Sequence, residues 1–250
     1  QRYDSWTVKY HPFDSNIVAS GCLGYEVRIW HIGLNKCINI QRYDSSIITL
    51  AFHPSGQYLS VASGSIVRIW NWIELVKEND LRKMNYEVSK QQTICRYIRH
   101  TRTIRALLFH PNGDYVFIAA PDTPRSNSSQ QLTTCRLYLL KFNDVFADNL
   151  FCPPIDLNNL PSILSQIHLY SDGGIDISKD GNYILTCALL LTPPQTNFIV
   201  TTNNSIRTKP DSNNHSFRPI KPPNIANRLT PLTLSLNNTN LPDVHIDKTD

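Results

Sequence analysis

Three histidines recur in the chain, each followed by proline: His11-Pro12, His53-Pro54 and His110-Pro111. Repeated imidazoles raise the idea of a metal centre, because zinc takes histidine nitrogens at about 2 Å. The recurrence itself argues against that chemistry. Equivalent positions in sheets that radiate from one axis stay well apart, so the His-Pro pairs read as repeat punctuation. The six cysteines are Cys22, Cys37, Cys95, Cys135, Cys152 and Cys187, with no CxxC pair and no zinc spacing. Four of them lie in apolar, strand-like runs, where a free thiol behaves as a small hydrophobe. They are expected to be reduced and buried, which points to a reducing compartment. No nucleophile elbow, P-loop, HExxH or paired-carboxylate constellation is present, and Gly173-Gly174 reads as a turn. The expectation is a non-enzyme with no catalytic residue, cofactor or metal.

Residues that could bind a partner form a shorter set. The segment RYIRHTRTIRA carries Arg96, Arg99, Arg102 and Arg105 around His100. Arginine favours bidentate pairing with carboxylates, so these four could meet an acidic protein surface. His100 occupies the place where regular blades carry a structural histidine. Near the C-terminus, Phe217-Arg218-Pro219-Ile220 fits the loose pattern by which an extended segment adds a strand to ubiquitin-like modifiers, with Phe217 and Ile220 as its anchors. A net charge of +4 without a clustered basic stripe excludes an argument for nucleic acid. No apolar run approaches the ~20 residues of a membrane span.

The elements that must position these residues follow from an internal repeat. Trp6 to Ile32, Ile47 to Trp72, and Ile104 to Pro121 rejoined by Cys135 to Phe142 align with one another. The two VRIW runs end at Trp30 and Trp70, 40 residues apart, and the first His-Pro pairs are 42 apart. Such periods, with a tryptophan-ended strand, mark propeller blades. Val8 and Tyr10, Leu50 and Phe52, and Leu107 and Phe109 show the period-two spacing of a strand's inward face. The turns HPFDSN, HPSGQ and HPNGD follow, rich in residues that tolerate tight dihedrals. Second strands at Ile17 to Ser20, Tyr58 to Ala62 and Tyr115 to Ala119 lead to the VRIW-type strand, and GLNKCINIQ supplies an outer strand.

The predicted fold is therefore all-β: an incomplete WD40-type β-propeller of about three and a half blades over residues 1–193. Its blades fall at about 1–41, 42–97 and 98–150, the last holding a polar loop at 122–134, and a fourth starts at 165–193. Glu74 to Gln92 is compatible with a short exposed helix. The fourth unit repeats an inner strand, the turn KDGNY and a second strand, but shows no third. Residues 194–250 are rich in Asn, Pro and Thr, and such composition predicts disorder. Propellers close with roughly four to eight blades, so further blades are expected from outside this sequence or from a partner copy, and the opening residues read as the inside of a repeat.

The runs VASGCLGYEVRIWHI, AFHPSGQYL and HLYSDGGIDISKDG together resemble the WD-repeat family of the activating molecule in Beclin-regulated autophagy, over about Trp6 to Pro193. The resemblance implies a split propeller and a substrate receptor for a cullin-RING ubiquitin ligase, docked on the ligase's propeller adaptor. It also implies cytoplasmic residence, with the autophagosome or nucleus as further sites. The family's long insert in the third blade corresponds here only to Asp122 to Thr134, which leaves its Beclin-complex contact without a counterpart. The Trp-Asp pair reads Trp30-His31 and Trp70-Asn71, and WHIG and WNWI lack the WDxR box. Blade packing must then replace the usual polar chain. The other reading is a generic WD-repeat scaffold for vesicle or RNA-processing assemblies with no ligase link.

Overall fold

A computed structural model describes residues 4–76, 95–122, 134–146, 152–169, 174–188, 200–201 and 230–235. Blade one is an antiparallel meander of β1 (Ser5–Tyr10), β2 (Ile17–Cys22), β3 (Glu26–His31) and β4 (Lys36–Arg42). Its register places Val18 opposite Trp30 and Arg28 opposite Ile40. Blade two repeats the meander with β5 (Ile47–Phe52), β6 (Tyr58–Ser63), β7 (Ile66–Asn71) and a two-residue outer strand, β8 (Ile98–Arg99). After β7 the chain makes one 3-10 turn over Trp72–Leu75, capped by the Asn71 side chain, which accepts from the Ile73 N–H. The remainder of the helix expected up to Gln92 lies outside the described residues from position 77 on.

Blade three contains β9 (Ala106–Phe109), β10 (Tyr115–Pro121) and β11 (Cys135–Lys141). Its connection to the outer strand takes an unforeseen path. β12 (Ile155–Asp156) crosses back to blade two and pairs in parallel with β8 before β13 (Leu164–Ile167) closes blade three beside β11. With only two residues, β8 covers little of its own sheet edge. An exposed edge is a template for unwanted pairing, and β12 pairs with the outer edge of β8 alone. The ends of the polar loop at 122–134 are clamped to each other: Asp122 N–H donates to Thr134 O, and Thr134 Oγ1 donates to Asp122 Oδ2.

Blade four holds β14 (Ile175–Ile177), β15 (Tyr183–Ala188), β16 (Val200–Thr201) and β17 (Thr230–Ser235). β17 runs the full length of β15, from Tyr183 opposite Ser235 to Ala188 opposite Thr230. β17 supplies a strand beside β15 that the sequence of the fourth unit does not announce, and apart from 200–201 and 230–235 the stretch 194–250 lies outside the described residues. Within that polar stretch, Leu232 and Leu234 alternate with Thr233 and Ser235, the period-two pattern of a strand. The Phe217–Ile220 motif lies outside the described residues.

Three apolar layers hold the stack together. Ile17, Ala19, Val27 and Ile29 of blade one meet Leu50, Leu59 and Val61 of blade two. Ala62, Val67 and Ile69 meet Leu107, Val116 and Ile118 of blade three, and Phe117, Ala119 and Leu137 meet Ile175 and Ile184 of blade four. Each strand thus sends alternate side chains to the blade behind and the blade ahead, and each fully buried Leu or Ile contributes about 1.5–3 kcal/mol. The inward reading of the first strands holds for Leu50, Leu107 and Phe109, all buried. It is corrected for Val8 and Tyr10, which are 50% and 64% exposed. They share the alternation, but their side of blade one carries no neighbouring blade.

Candidate interaction surface

The turns between the first and second strands of the blades line one rim, and a histidine relay sets their spacing. His11 Nδ1 accepts the Asp14 N–H at 3.0 Å, so the proton sits on Nε2, which donates to Gly56 O of the next blade at 2.9 Å. His53 does the same one blade on: Nδ1 accepts the Ser55 N–H at 3.1 Å, and Nε2 donates to Gly113 O at 2.8 Å. His110 Nε2 reaches Gly181 O of blade four at 3.1 Å. Gly56, Gly113 and Gly181 have φ of 76°, 85° and 73°, in the left-handed region where a Cβ is costly. A Cβ at any of them would fall within 2.8 Å of the preceding histidine ring. Glycine is needed here twice over, for the turn and for the ring beside it.

Aromatic rings complete each joint. The His11 ring meets Phe52 edge-on at 5.3 Å and Trp72 at 5.8 Å between centroids, while Trp72 Nε1 donates to the same Gly56 carbonyl at 2.7 Å. The His53 ring stacks on Phe142 at 4.1 Å. Burial lowers the basicity of both His11 and His53, partly offset by the hydrogen bond to the glycine carbonyl. The sequence showed each His-Pro turn and each glycine. It did not show the pairing, because each bond joins residues 45, 60 or 71 positions apart, and no local pattern connects them.

The four candidate arginines do not form one patch. Arg96 Nε donates to Pro153 O at 2.8 Å, and Arg99 Nε pairs with Asp156 Oδ2 at 3.1 Å. With Thr101 Oγ1 donating to Asn158 Oδ1 at 3.1 Å, they strap β12 to the edge of blade two. Arg102 is exposed at the loop tip, and its N–H donates to His100 Nδ1 at 3.0 Å. Arg105 is half-buried on the strand side, its N–H bonded to Ala119 O. His100 is buried beside Tyr138, its basicity lowered by that burial. Of the four, Arg102 has the freest position for a partner.

Another arginine was not singled out from the sequence. Arg68 lies between the Tyr43 and Tyr97 rings, 5.3 and 5.1 Å from their centroids, with Asp44 Oδ2 3.4 Å from its Nη2. The tyrosines come from the connection into blade two and from just before β8, so only the folded blade brings them together. The cysteines have no partner sulfur among the described residues, and burial raises Cys95 to about 12 and Cys135 to about 11.

Exposed large apolar side chains stand at the two ends of the stack. On the side of blade one away from blade two Val8, Tyr10 and Ile40 are exposed, while Trp30 is half-buried, its Nε1 donating to Ser20 Oγ at 3.0 Å. On the side of blade four away from blade three, Tyr183 and Leu185 are 44% and 54% exposed. No helix among the described residues is long and apolar enough to cross a membrane.

The sequence comparisons agree with this architecture. The family described as WD domain, G-beta repeat matches residues 35–71. That span opens on β4 of blade one and ends on β7 of blade two, so one sequence repeat straddles two blades. The chain is 32% identical over 118 residues to the activating molecule in BECN1-regulated autophagy protein 1A of Danio rerio, covering 47% of this chain and 8% of that protein. It is 38% identical over 71 residues to protein 1B of the same organism, covering 28% of this chain and 5% of the relative. A coronin-like protein of Saccharomyces cerevisiae is 31% identical over 65 residues, 26% of this chain and 10% of that protein. The matched stretches thus span a tenth or less of these relatives. Similar in sequence to these relatives, the chain carries WD repeats folded as an incomplete β-propeller, an architecture that serves as a scaffold for protein partners.

Proposed function

We propose that this scaffold works as a substrate receptor of a cullin-RING ubiquitin ligase in the control of autophagy. The observation that carries the reading is the similarity of up to 47% of the chain to the two activating-molecule proteins, whose names place them in BECN1-regulated autophagy. The ligase role comes from the family that the blade motifs resemble. Rigid turns on one rim grip the ligase's propeller adaptor and the other surface holds a substrate. Ubiquitin transfer itself belongs to the cullin–RING partner. The relay suits such a part, because fixed turns lose little conformational freedom on binding. In this reading the protein works in the cytoplasm. Arg102 and the Arg68–Tyr43–Tyr97 cluster are polar and aromatic anchors of the type enriched at interface hot spots.

The test is a pull-down of the ligase's propeller adaptor by the folded chain at low salt. Retention of the adaptor at micromolar concentration is the expected result. A folded chain that leaves the adaptor unbound refutes the ligase reading. Binding to RNA or acidic vesicles instead would favour the generic scaffold.

A further inference from the structure

Arginine takes the same place in blades one and two, within the repeated run VRIW, as Arg28 and Arg68. The two are used differently. Arg28 is engaged inside its own blade: its Nε and Nη2 both donate to Glu26 Oε2, at 3.2 and 2.9 Å. Arg68 instead sits between the Tyr43 and Tyr97 rings. The register of β7 and β8 puts Ile66 opposite Arg99 and Val67 opposite Ile98, so the next place sets Tyr97 beside Arg68. The Tyr97 carbonyl is held by the Ile155 N–H at 2.8 Å, and the Tyr43 N–H donates to Tyr25 O at 2.9 Å. Blade three fills the same place with Tyr138, buried beside His100. A blade therefore folds without a guanidinium between two rings, and packing alone does not call for one.

The rings fix the guanidinium by cation–π attraction, which uses its faces and not the edge that carries its five N–H donors. Among the described residues that edge meets one carboxylate, Asp44, whose Oδ2 lies 3.4 Å from Nη2. A close charged pair has an N···O distance of about 2.7–2.9 Å, so this contact is loose. The Asp44 side chain is also 94% exposed and free to swing away. Asp44 thus shows which chemistry suits the edge without saturating it, in contrast to Glu26 on Arg28. Tyr97, 55% exposed, offers a ring beside the guanidinium. Arg99 lies on the same face of the β7–β8 pair and keeps Asp156 at 3.1 Å. A newcomer at Arg68 therefore breaks only the 3.4 Å contact.

We propose that the Arg68–Tyr43–Tyr97 clamp docks an acidic segment of a protein partner. One carboxylate of that segment displaces Asp44 and takes the guanidinium edge-on, through two parallel hydrogen bonds. The residue next to it lies on the exposed Tyr97 ring. A guanidinium already held between rings loses little freedom when it binds, and arginine beside tyrosine is the pairing found where interfaces concentrate their binding energy. A carboxylate is the chosen ligand because Asp44 already places one at this edge. Such a contact rests on the scaffold reading and gives it one defined chemistry. The probe below contains no ligase component, so either can fail while the other stands.

The experiment titrates the full chain into fluorescein-labelled poly-glutamate of about 20 residues, at about 50 mM salt, and follows fluorescence anisotropy. Saturable binding is expected. Arg68→Gln should weaken it at least tenfold and Arg68→Lys at least fivefold, because an ammonium cannot form the two-pronged bond. Asp44→Asn should tighten it at least threefold by removing the resident carboxylate. Asp114→Asn, the same charge change on the relay rim, should leave it within twofold, and so should Arg102→Gln, which removes an exposed arginine from the loop before blade three. Circular dichroism checks the fold of each variant. If the Arg68 variants misfold, Asp44→Asn and Tyr97→Ala carry the test, the latter with an expected loss of at least threefold. No binding with the chain at 100 μM overturns the proposal. Equal losses with Arg68→Gln and Arg102→Gln overturn it too, since they mean diffuse attraction to a basic surface. An affinity that does not rise with Asp44→Asn refutes the displacement. A phosphoserine peptide of the same length bound at least tenfold tighter refutes the choice of a carboxylate.

Discussion

Replacing Gly56 with alanine should destabilise the fold through a named partner, His11, one blade away. Two terms add. At φ 76° a Cβ costs about 1–2 kcal/mol in backbone strain. The same Cβ would sit 2.4 Å from His11 Nε2 and 2.6 Å from its Cε1, so the ring must leave. Leaving forfeits the bond to Gly56 O, worth about 1 kcal/mol net, and the edge-on contact with Phe52 and Trp72, worth about 1 kcal/mol. The total is about 3–4 kcal/mol. The decisive measurement is a double-mutant cycle by urea unfolding, followed by tryptophan fluorescence, to which the fully buried Trp72 contributes beside Trp6, Trp30 and Trp70. With His11→Ala already present, Gly56→Ala should cost only the backbone strain, a coupling of about 2 kcal/mol. If the two substitutions add within about 0.5 kcal/mol, the ring does not occupy the glycine's side-chain space and the relay is wrong.

Acidification should act on the first two of these joints and on the buried His100. His11, His53 and His100 have lowered folded-state pKa values, chiefly through burial, against an unfolded value of 6.5. Their contribution is fully present above 6.5 and is lost as pH falls from there through the folded values. Tm should be flat from pH 7 to 8 and decline below about 6.5, and a rise in that lower window would contradict the neutral assignment. Leu59→Ala, at a fully buried site between blades one and two, should cost about 2–5 kcal/mol by urea unfolding. A loss under 1 kcal/mol would mean that the joint is loosely packed. Arg99→Ala should cost less than about 1 kcal/mol, because its pair with Asp156 is half exposed. A larger loss would show that the β12 strap depends on that single ion pair.

The parts of the fold that were legible in the sequence rest on local signals. Alternation in WTVKY and ITLAF, the tight turns after His11, His53 and His110, and the VRIW runs place strands without any knowledge of neighbours. Three things were not legible, each for a physical reason. β12 is two residues long, and its pairing with β8 joins Ile155 to Ile98, a contact that topology alone creates. β17 lies in a stretch dominated by Asn, Thr and Pro, where six alternating residues are outweighed by their surroundings. Val8 and Tyr10 carry the pattern of buried positions yet are exposed, because periodicity reports which side a residue faces and not whether anything covers that side. The arginines illustrate the same limit: side-chain type suggested a partner for Arg96 and Arg99, while the fold supplies one internally through Pro153 and Asp156.

The relay is directional, and this has a consequence for how the stack holds together. Each histidine donates forward and each glycine receives from behind, so a blade is secured on one side by what it gives and on the other by what it accepts. Stability in such an array behaves as a sum of unit and nearest-neighbour terms. A damaged joint should therefore split the stack at that place and leave the remaining joints intact. Blades two and three hold both halves of the relay, with Gly56 and His53 in one and Gly113 and His110 in the other. They are the interior of the array. Blades one and four hold one half each and also carry the exposed apolar faces, so the chemistry of the turns and the burial of the sheets mark the same two ends. Covering those ends would raise the cost of opening the terminal joints, and slower amide exchange in β1 and β15 than in the isolated chain would register it.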